Sequence, residues 1–581
     1  MNSHFLKNFK SYLSILIIAI VLVLFRFASN DLRNEEQIKV TTWDAFGYYM
    51  YLPGTFIYND VTELNWLENI EEEYQVTGGF LYQANQQENG KYAFKYLGGV
   101  AVMQTPFFLI GHLIASNSDY KADGFSPPYQ YAIAFGAIIY CLLGLMLLRI
   151  VLLNYFKDRT VALTLLFLAL ATNLIQYVAI DGGQSHAYIF PLYALLLLAT
   201  MRWHDSPSYK WAALIGLSIG LATISRPTEA IMIFIPIFWG THTKELRKEK
   251  WQLVRNHKRM ILTTILFGVI GIAPQLIYWK IATGSFVYDV GSKWFFFNPW
   301  FRVLFGFTNG WFIYTPITIL FVAGFFFLKS FPFRKSVIIF CLLNIWIIIA
   351  WSDWQYGAAF STRAMVQSYP VFALAFAAII AKIETSKWKY VFYAGAVYLL
   401  FVNLFQIGQY NKTVLHYRDM NRNYYGAIYL DADPTPLDMS LLDTDEQLPI
   451  SSLSMTNDRL IYELEEPVNI VSKHDSIAFL LRKEISIENK QAKWFRVRTK
   501  IRSEEGMGSS RINCKIYSSE LLKEKSFRLF TPIAKEGKEN VYEFDFKVPE
   551  HKNSYELSVF IVPSSVFKGE VVEFSVMEFY E

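Results

Sequence analysis

The run Lys244-Glu245-Leu246-Arg247-Lys248-Glu249-Lys250 decides how this chain is threaded. It carries four basic residues and separates two apolar segments, near 229–240 and 259–281. A basic loop between membrane-crossing segments is retained on the cytoplasmic side. Working outward from it, apolar runs long enough to cross or nearly cross a bilayer fall near 11–27, 129–151, 160–178, 186–201, 211–225, 229–240, 259–281, 312–328, 336–351, 368–381 and 390–408, eleven in all. One more run, 98–116, is ambiguous. If it crossed, every later loop would change sides and Lys244–Lys250 would face outward. If it does not, the inner loops 1–10, 152–159, 202–210, 241–258, 329–335 and 382–389 hold nineteen Lys/Arg, counting Arg259, against nine in the much longer outer loops. That asymmetry is the one expected of a membrane protein. Gln104, Pro106 and His112 also interrupt the run. The 98–116 segment is therefore expected to be an amphipathic or re-entrant helix on the outer face. The N-terminus is then cytoplasmic and the C-terminal part extracytoplasmic, in a multi-pass protein of the plasma (inner) membrane.

Composition agrees. Of 581 residues, 53% are hydrophobic and 18% charged, too apolar for an ordinary soluble enzyme. Aromatics reach 17%, and Trp and Tyr favour membrane interfaces and sugar-binding surfaces because each joins a flat apolar face to a polar edge. The net charge of +4 says little by itself, and no nucleic-acid partner is expected. Cys141, Cys341 and Cys514 are scattered, so neither a disulfide nor a CxxC metal site is expected. Lys7 and Lys10 precede the first apolar run, and Arg26-Phe27-Ala28-Ser29-Asn30 makes a weak cleavage site, so the run reads as an uncleaved anchor.

The chain divides into a membrane domain over 1–410, a polar linker over 411–450 and an extracytoplasmic domain over 451–581. Within the first, residues 29–128 form a large outer loop with surface helices, carrying thirteen Asp/Glu against five Lys/Arg. Beyond 451, short alternating or apolar stretches such as Phe495-Arg496-Val497-Arg498 and Leu557-Ser558-Val559-Phe560-Ile561 predict seven or eight strands, a β-sandwich of the jelly-roll kind. The fold class is thus a polytopic α-helical membrane protein with a C-terminal β-sandwich.

Unusual polar residues gather on the outer side. Val40-Thr41-Thr42-Trp43-Asp44-Ala45-Phe46-Gly47-Tyr48-Tyr49 follows the first apolar run and sets one carboxylate among aromatics. Asp44 is either a helix N-cap or a general base able to take the proton of an attacking hydroxyl. Asp181 and His186 stand five apart at a helix start; the spacing is not a recognised metal pattern, and each is either an active-site or a structural residue. Cations on this side could hold an anion or a developing negative charge. Arg363, Arg226 and Lys293 are the candidates, with Arg363 and Arg226 beside apolar helices where an unpaired charge is expensive. Arg226 has Glu229 as a possible helical partner, and Arg363 has only Asp353 nearby. Asp123, His186, Tyr48 and Trp354 are candidates to bind substrate.

The layout resembles the membrane glycosyltransferases of the GT-C fold, such as the protein O-mannosyltransferases and the lipid A aminoarabinose transferases. The resemblance covers about residues 11–410 as an architecture and rests locally on Asp44 after the first helix, on Thr105-Pro106-Phe107-Phe108 and on Asp181. It implies transfer, with inversion, of a sugar from a polyprenyl-phosphate donor to a hydroxyl on a glycan, lipid or protein acceptor at the outer face, with no cofactor indicated and with Arg363, Arg226 and Lys293 to bind the phosphate of the leaving group. No second acid adjoins Asp44, so Asp181 or Asp123 is expected to be folded close to complete the site. Two other classes fit a polytopic envelope protein: a transporter or flippase of lipid-linked sugars, which would show repeated halves and helices broken near the midplane, and a non-catalytic assembly protein, in which Asp44, Asp181 and Arg363 would lie far apart.

Overall fold

The computed structural model describes residues 8–33, 35–448, 457–471, 477–485, 492–549, 554–564 and 566–580. The chain forms two compact units, Met1–Gly408 and Gln409–Glu581.

The first unit is helical, and with the second it makes the chain a polytopic α-helical membrane protein with a C-terminal β domain. Among the described residues six helices are long and apolar enough to cross a membrane: α1 (Phe9–Arg33), α2 (Gly99–Ser116), α3 (Pro127–Leu153), α4 (Lys258–Thr283), the segment Arg363–Glu384, and α5 (Lys389–Asn411). The 98–116 run is thus one unbroken helix through Pro106, laid along α3. By length and composition it qualifies as a span, whereas the charge count places it on the surface. Two other runs depart from the continuous helices expected of them. The 160–178 run stops at Leu170 and resumes as a π-helical turn over Gln176–Ile180. The 312–328 run breaks into short pieces around Thr315-Pro316 and Gly324.

These breaks have identifiable stabilisers. The carbonyls of Ala179 and Ile180, left outside the π-turn's own ladder, accept hydrogen bonds from Arg26 of α1 at 3.2 and 3.1 Å. Two turns later on α1, Arg33 pairs with Asp181 at 2.7 Å. The first helix therefore clamps the interrupted one. Elsewhere small residues permit direct backbone contact. A Cβ added to Gly216 would fall 2.0 Å from the Thr264 carbonyl oxygen, and one added to Gly220 would fall 2.4 Å from that of Gly268. The helix Tyr209–Thr223 therefore rests against α4 as closely as two backbones allow.

In the second unit the described residues form nine strands in two antiparallel sheets. One, in the order β5-β10-β7-β8, comprises β5 (Ala478–Ile485), β7 (Arg511–Tyr517), β8 (Leu521–Arg528) and β10 (Tyr555–Val562). The other, in the order β3-β11-β6-β9, comprises β3 (Asn457–Glu463), β6 (Ala492–Glu505), β9 (Glu539–Lys547) and β11 (Lys568–Tyr580), with β4 (Val468–Val471) also on β11. Two three-residue strands, β1 (Ala84–Gln86) and β2 (Tyr92–Phe94), pair in the first unit. Alternate residues of the large sheets turn inward. Ile512, Cys514 and Ile516 face Leu557, Val559 and Ile561 in register, and Phe527 stacks on Phe544 between the sheets at 3.7 Å. The stretch expected as a linker, 411–450, packs on these strands over its described length. Asp443 accepts from the Arg528 guanidinium at 2.8 Å, Glu446 pairs with Lys523 at 2.6 Å, and Asp545 accepts from the Leu448 amide. Residues 449 and 450 lie outside the described residues.

The glycine contact gives a direct test. Gly220→Val forces the helix Tyr209–Thr223 away from α4 and should lower stability by about 1–3 kcal/mol, the usual effect of overpacking. Thermal unfolding of the detergent-purified protein reads this; an unchanged midpoint would contradict the packing.

Candidate functional site

The candidate site is built from the segment after α1. Gln130 of α3 holds that segment in place: its Oε1 accepts from the Val40 and Thr41 amides at 3.0 and 3.2 Å, and its Nε2 donates to Thr41 Oγ1 at 2.7 Å. The next residues are pinned from the other side, where the Trp43 amide donates to Val76 and Gln83 Nε2 donates to the Trp43 carbonyl. Trp43 is thereby held at φ 56°, a left-handed conformation that costs a bulky L-residue about 1–3 kcal/mol. A short helix, Asp44–Tyr49, begins immediately after.

Asp44 does not cap that helix. The capping position is Trp43, with no side-chain capping bond. The carboxylate is instead turned into a polar cage. Oδ1 accepts the hydroxyls of Tyr82 at 2.8 Å and Tyr96 at 2.5 Å, and Oδ2 pairs with Arg363 Nη2 at 2.5 Å. The cage needs Gly47, because a Cβ there would lie 2.2 Å from the Tyr96 ring. Tyr48 packs edge-on against the same ring, with centroids 4.9 Å apart. The Asp44 side chain is 21% exposed and that of Arg363 12%, so the pair is shielded yet open to one side. Burial pushes the Asp44 carboxyl up, but the Arg363 charge and the hydrogen bonds from Tyr96, Arg363 and Tyr82 outweigh it and hold the pKa below the ordinary value.

Two guanidiniums close by have unspent donors. Arg363 Nε is buried without a partner, and Arg226 makes no side-chain hydrogen bond or ion pair among the described residues. Arg226 does not bond Glu229, although the two interact electrostatically. Glu229 instead receives Gln367 Nε2 at 3.1 Å and the Tyr193 hydroxyl. Since Nε2 of Gln367 must face the carboxylate, its Oε1 faces His186 Nδ1 at 2.7 Å. That bond makes Nδ1 the protonated nitrogen and leaves His186 Nε2 a buried acceptor without a partner among the described residues. His186 lies within electrostatic reach of Arg226, Arg363 and Asp44. The Arg226 turn is tied to the outer segment where the Gly99 amide donates to Ile224 at 2.9 Å.

The other candidates fall elsewhere. Asp181 is not in the cage; it pairs with Arg33 and accepts Gln176 Nε2 at 2.8 Å. Asp123 is a loop organiser. Its Oδ1 accepts the Phe125 and Ser126 amides at 2.8 and 3.0 Å, and its Oδ2 accepts the Tyr74 hydroxyl at 2.6 Å. Neither acid shares a hydrogen-bond or ion-pair partner with Asp44, so the expected second acid is not brought to the cage. Asp353, the only local partner foreseen for Arg363, is replaced by Asp44, 319 residues away. Lys293 is exposed, and only its carbonyl is engaged, by the Ser352 amide at 2.9 Å. Trp354 stacks on the Arg302 guanidinium at 4.5 Å, with Trp300 on the same group at 4.8 Å. The residues that sequence reasoning missed are Tyr82, Tyr96 and Gln367, and Glu229 was foreseen only as a partner of Arg226. Among the described residues no group of three or more His, Cys, Asp or Glu side chains has the geometry to hold a metal ion.

No protein-family model and no curated protein matches the chain. Its neighbours among solved structures include the archaeal oligosaccharyltransferase AglB from Archaeoglobus fulgidus, in complex with an inhibitory peptide and a dolichol-phosphate. Identity to it is 13% and the TM-score 0.39, over 71% of this chain and 57% of that one. ArnT from Cupriavidus metallidurans bound to undecaprenyl phosphate is another, at 13% identity and a TM-score of 0.42, over 72% of this chain and 68% of that one. The chain thus spans little more than half the length of the oligosaccharyltransferase.

The charge balance at Asp44 is testable. Its stabilising ion pair is fully present above the unfolded carboxyl pKa of about 3.9 and is lost only as pH falls through the lower folded value. In Arg363→Gln the main opposing charge is gone while burial remains, so Asp44 should titrate at higher pH than in the parent protein. Infrared difference spectra against Asp44→Asn read the protonated carboxyl directly, and an unmoved titration would contradict the coupling.

Proposed function

We propose that this protein is a membrane glycosyltransferase of the GT-C type that moves a sugar from a polyprenyl-phosphate donor to an acceptor hydroxyl at the outer membrane face. The observation that carries this reading is the Asp44–Arg363 pair inside the tyrosine cage, with Arg226 and Arg363 Nε still free to bind an anion. A carboxylate ready to accept a proton stands beside guanidiniums ready to accept a phosphate, and inverting transfer requires that combination.

The division of labour follows from the two carboxylate oxygens. Oδ1 is fixed by Tyr82 and Tyr96, and Oδ2 is held by Arg363 alone. A donor phosphate competes for Arg363, with Arg226 as its second cation. As Arg363 turns to the phosphate, Oδ2 is released and the Asp44 carboxyl becomes more basic. The acceptor hydroxyl then donates to Oδ2. Its oxygen attacks the anomeric carbon from the face opposite the phosphate, its proton passes to Asp44, and the bond from that carbon to the phosphate oxygen breaks. Both electrons of that bond leave with the polyprenyl phosphate, whose charge the arginines stabilise. His186, held by Gln367 and Glu229, keeps an acceptor nitrogen on the same side of the fold.

Transport of lipid-linked sugars is the second reading, because helix interruptions near 171–173, 181–184 and 315 are a feature of transporters as well. One experiment separates the two. With defined polyprenyl-phosphate sugars in proteoliposomes, Asp44→Asn should retain the fold and lose roughly 10²–10⁴ in transfer rate, the usual contribution of a general base. Arg226→Ala should mainly raise the KM for donor. Normal transfer by Asp44→Asn, or lipid translocation with no transfer by the parent protein, would overturn the assignment.

A further inference from the structure

Beside Asp44 lies a cleft of about 1140 Å³ that the chemistry above does not use. It lies in the segment after α1. One wall is aromatic: the Trp43 indole is 58% exposed and the Phe80 ring 68% exposed, although both adjoin the buried cage. The indole is held flat by design of the backbone beneath it, since Gly78 sits against the ring and a Cβ there would approach it to 2.4 Å. Phe80 packs on Tyr82 with centroids 5.5 Å apart, and the Tyr82 hydroxyl binds Asp44. Trp43 is bonded directly to Asp44. The aromatic wall therefore runs up to the candidate base from two directions.

The cleft is also acidic. Glu63, Glu68 and Glu72 line it with exposed side chains, and Glu35 lines it as well. None of these four makes an ion pair within 4 Å among the described residues. Of the cations in the lining, Arg33 is already paired with Asp181, which leaves Lys39. An exposed flat ring offers a stacking face to the C–H side of a pyranose and to a cation. Glu63 accepts a hydrogen bond from Asn65 at 3.2 Å, and carboxylates that lack a cationic partner accept from ammonium groups and hydroxyls. The volume exceeds the usual range for a single small molecule, about 300–1,000 Å³, and suits several linked sugar units.

We infer that this cleft is the acceptor site and that its occupant is a saccharide carrying ammonium groups, laid on Trp43 and Phe80 with its cations against Glu63, Glu68 and Glu72. The inference deepens the glycosyltransferase reading and rests on it for the word acceptor, whereas the binding itself does not. Charge complementarity favours a cationic glycan over a neutral one, and the two exposed rings favour a sugar over a bare amine chain.

The test is equilibrium binding to the full-length protein in nanodiscs, read without turnover. The probes are glucosamine tetramer, its fully N-acetylated counterpart and tetralysine. The glucosamine tetramer should bind the parent protein with no donor present. Glu68→Gln/Glu72→Gln should weaken it about tenfold, and raising salt from low to high should weaken it further. Trp43→Gly relieves the left-handed strain, so the thermal midpoint should not fall, yet binding should drop by roughly tenfold or more; Trp43→Phe should restore part of it. Equal binding of the N-acetylated tetramer would overturn the charge assignment. Tighter binding of tetralysine would overturn the saccharide assignment. No effect of the glutamate and Trp43 changes would overturn the site. Failure of Asp44→Asn to lose transfer, with this binding intact, would count against the base and leave the cleft standing.

Discussion

The ion pair between Asp44 and Arg363 joins residues 319 positions apart, and the candidate site depends on it. A carboxylate shielded from water beside apolar helices is expensive unless an opposite charge and hydrogen bonds meet it. Arg363 and two tyrosines meet that need, and in doing so they hold the Asp44 carboxyl ionised. They also limit its basicity while the pair is closed. An arrangement made only for stability would be served by an apolar pair of similar size. Here the arginine has a further donor without a partner, and a second arginine stands unpaired nearby. That excess of donors over acceptors is what an anionic ligand would balance.

The rest of the helical unit is arranged to hold the pair. Gln130 anchors the backbone before Asp44, Gln83 and Val76 pin Trp43, and Gly47 admits the Tyr96 ring. Each acts on a few residues, and together they set the carboxylate against an arginine at the start of the Arg363–Glu384 segment. Arg26 and Arg33 of the first helix do the same for the interrupted segment around Asp181. A strained tryptophan beside the candidate base fits this pattern, since left-handed residues persist only where the surroundings determine them.

Much of this was legible in the residues. Apolar runs and the basic inner loops pointed to a polytopic chain, and period-two alternation pointed to the β domain. Asp44 stood out as a carboxylate among aromatics, and Arg363 as a charge at the end of an apolar run. Their pairing was not legible, because nothing local links positions so far apart. Asp181 and Asp123 drew attention for the same reason as Asp44, yet their partners Arg33 and Tyr74 are set by tertiary packing that local pattern does not report. Tyr82 and Tyr96 were hidden among 36 tyrosines. The helix breaks near 171 and 315 were hidden because hydrophobicity continues through them while the backbone does not. The polar stretch 411–450 looked like a linker because its contacts with the strands are made by charged side chains, Asp443 and Glu446 among them.

The central claim is that Arg363 has two alternative partners, Asp44 in the free protein and a donor phosphate in the complex. The most direct measurement is a cryo-electron microscopy structure of the full-length protein in nanodiscs with a polyprenyl phosphate bound. The account expects the Arg363 guanidinium within hydrogen-bond distance of the phosphate, Arg226 on the same group, and Asp44 Oδ2 released while Tyr82 and Tyr96 still hold Oδ1. A phosphate bound elsewhere, with the Asp44–Arg363 pair intact beside it, would contradict the account.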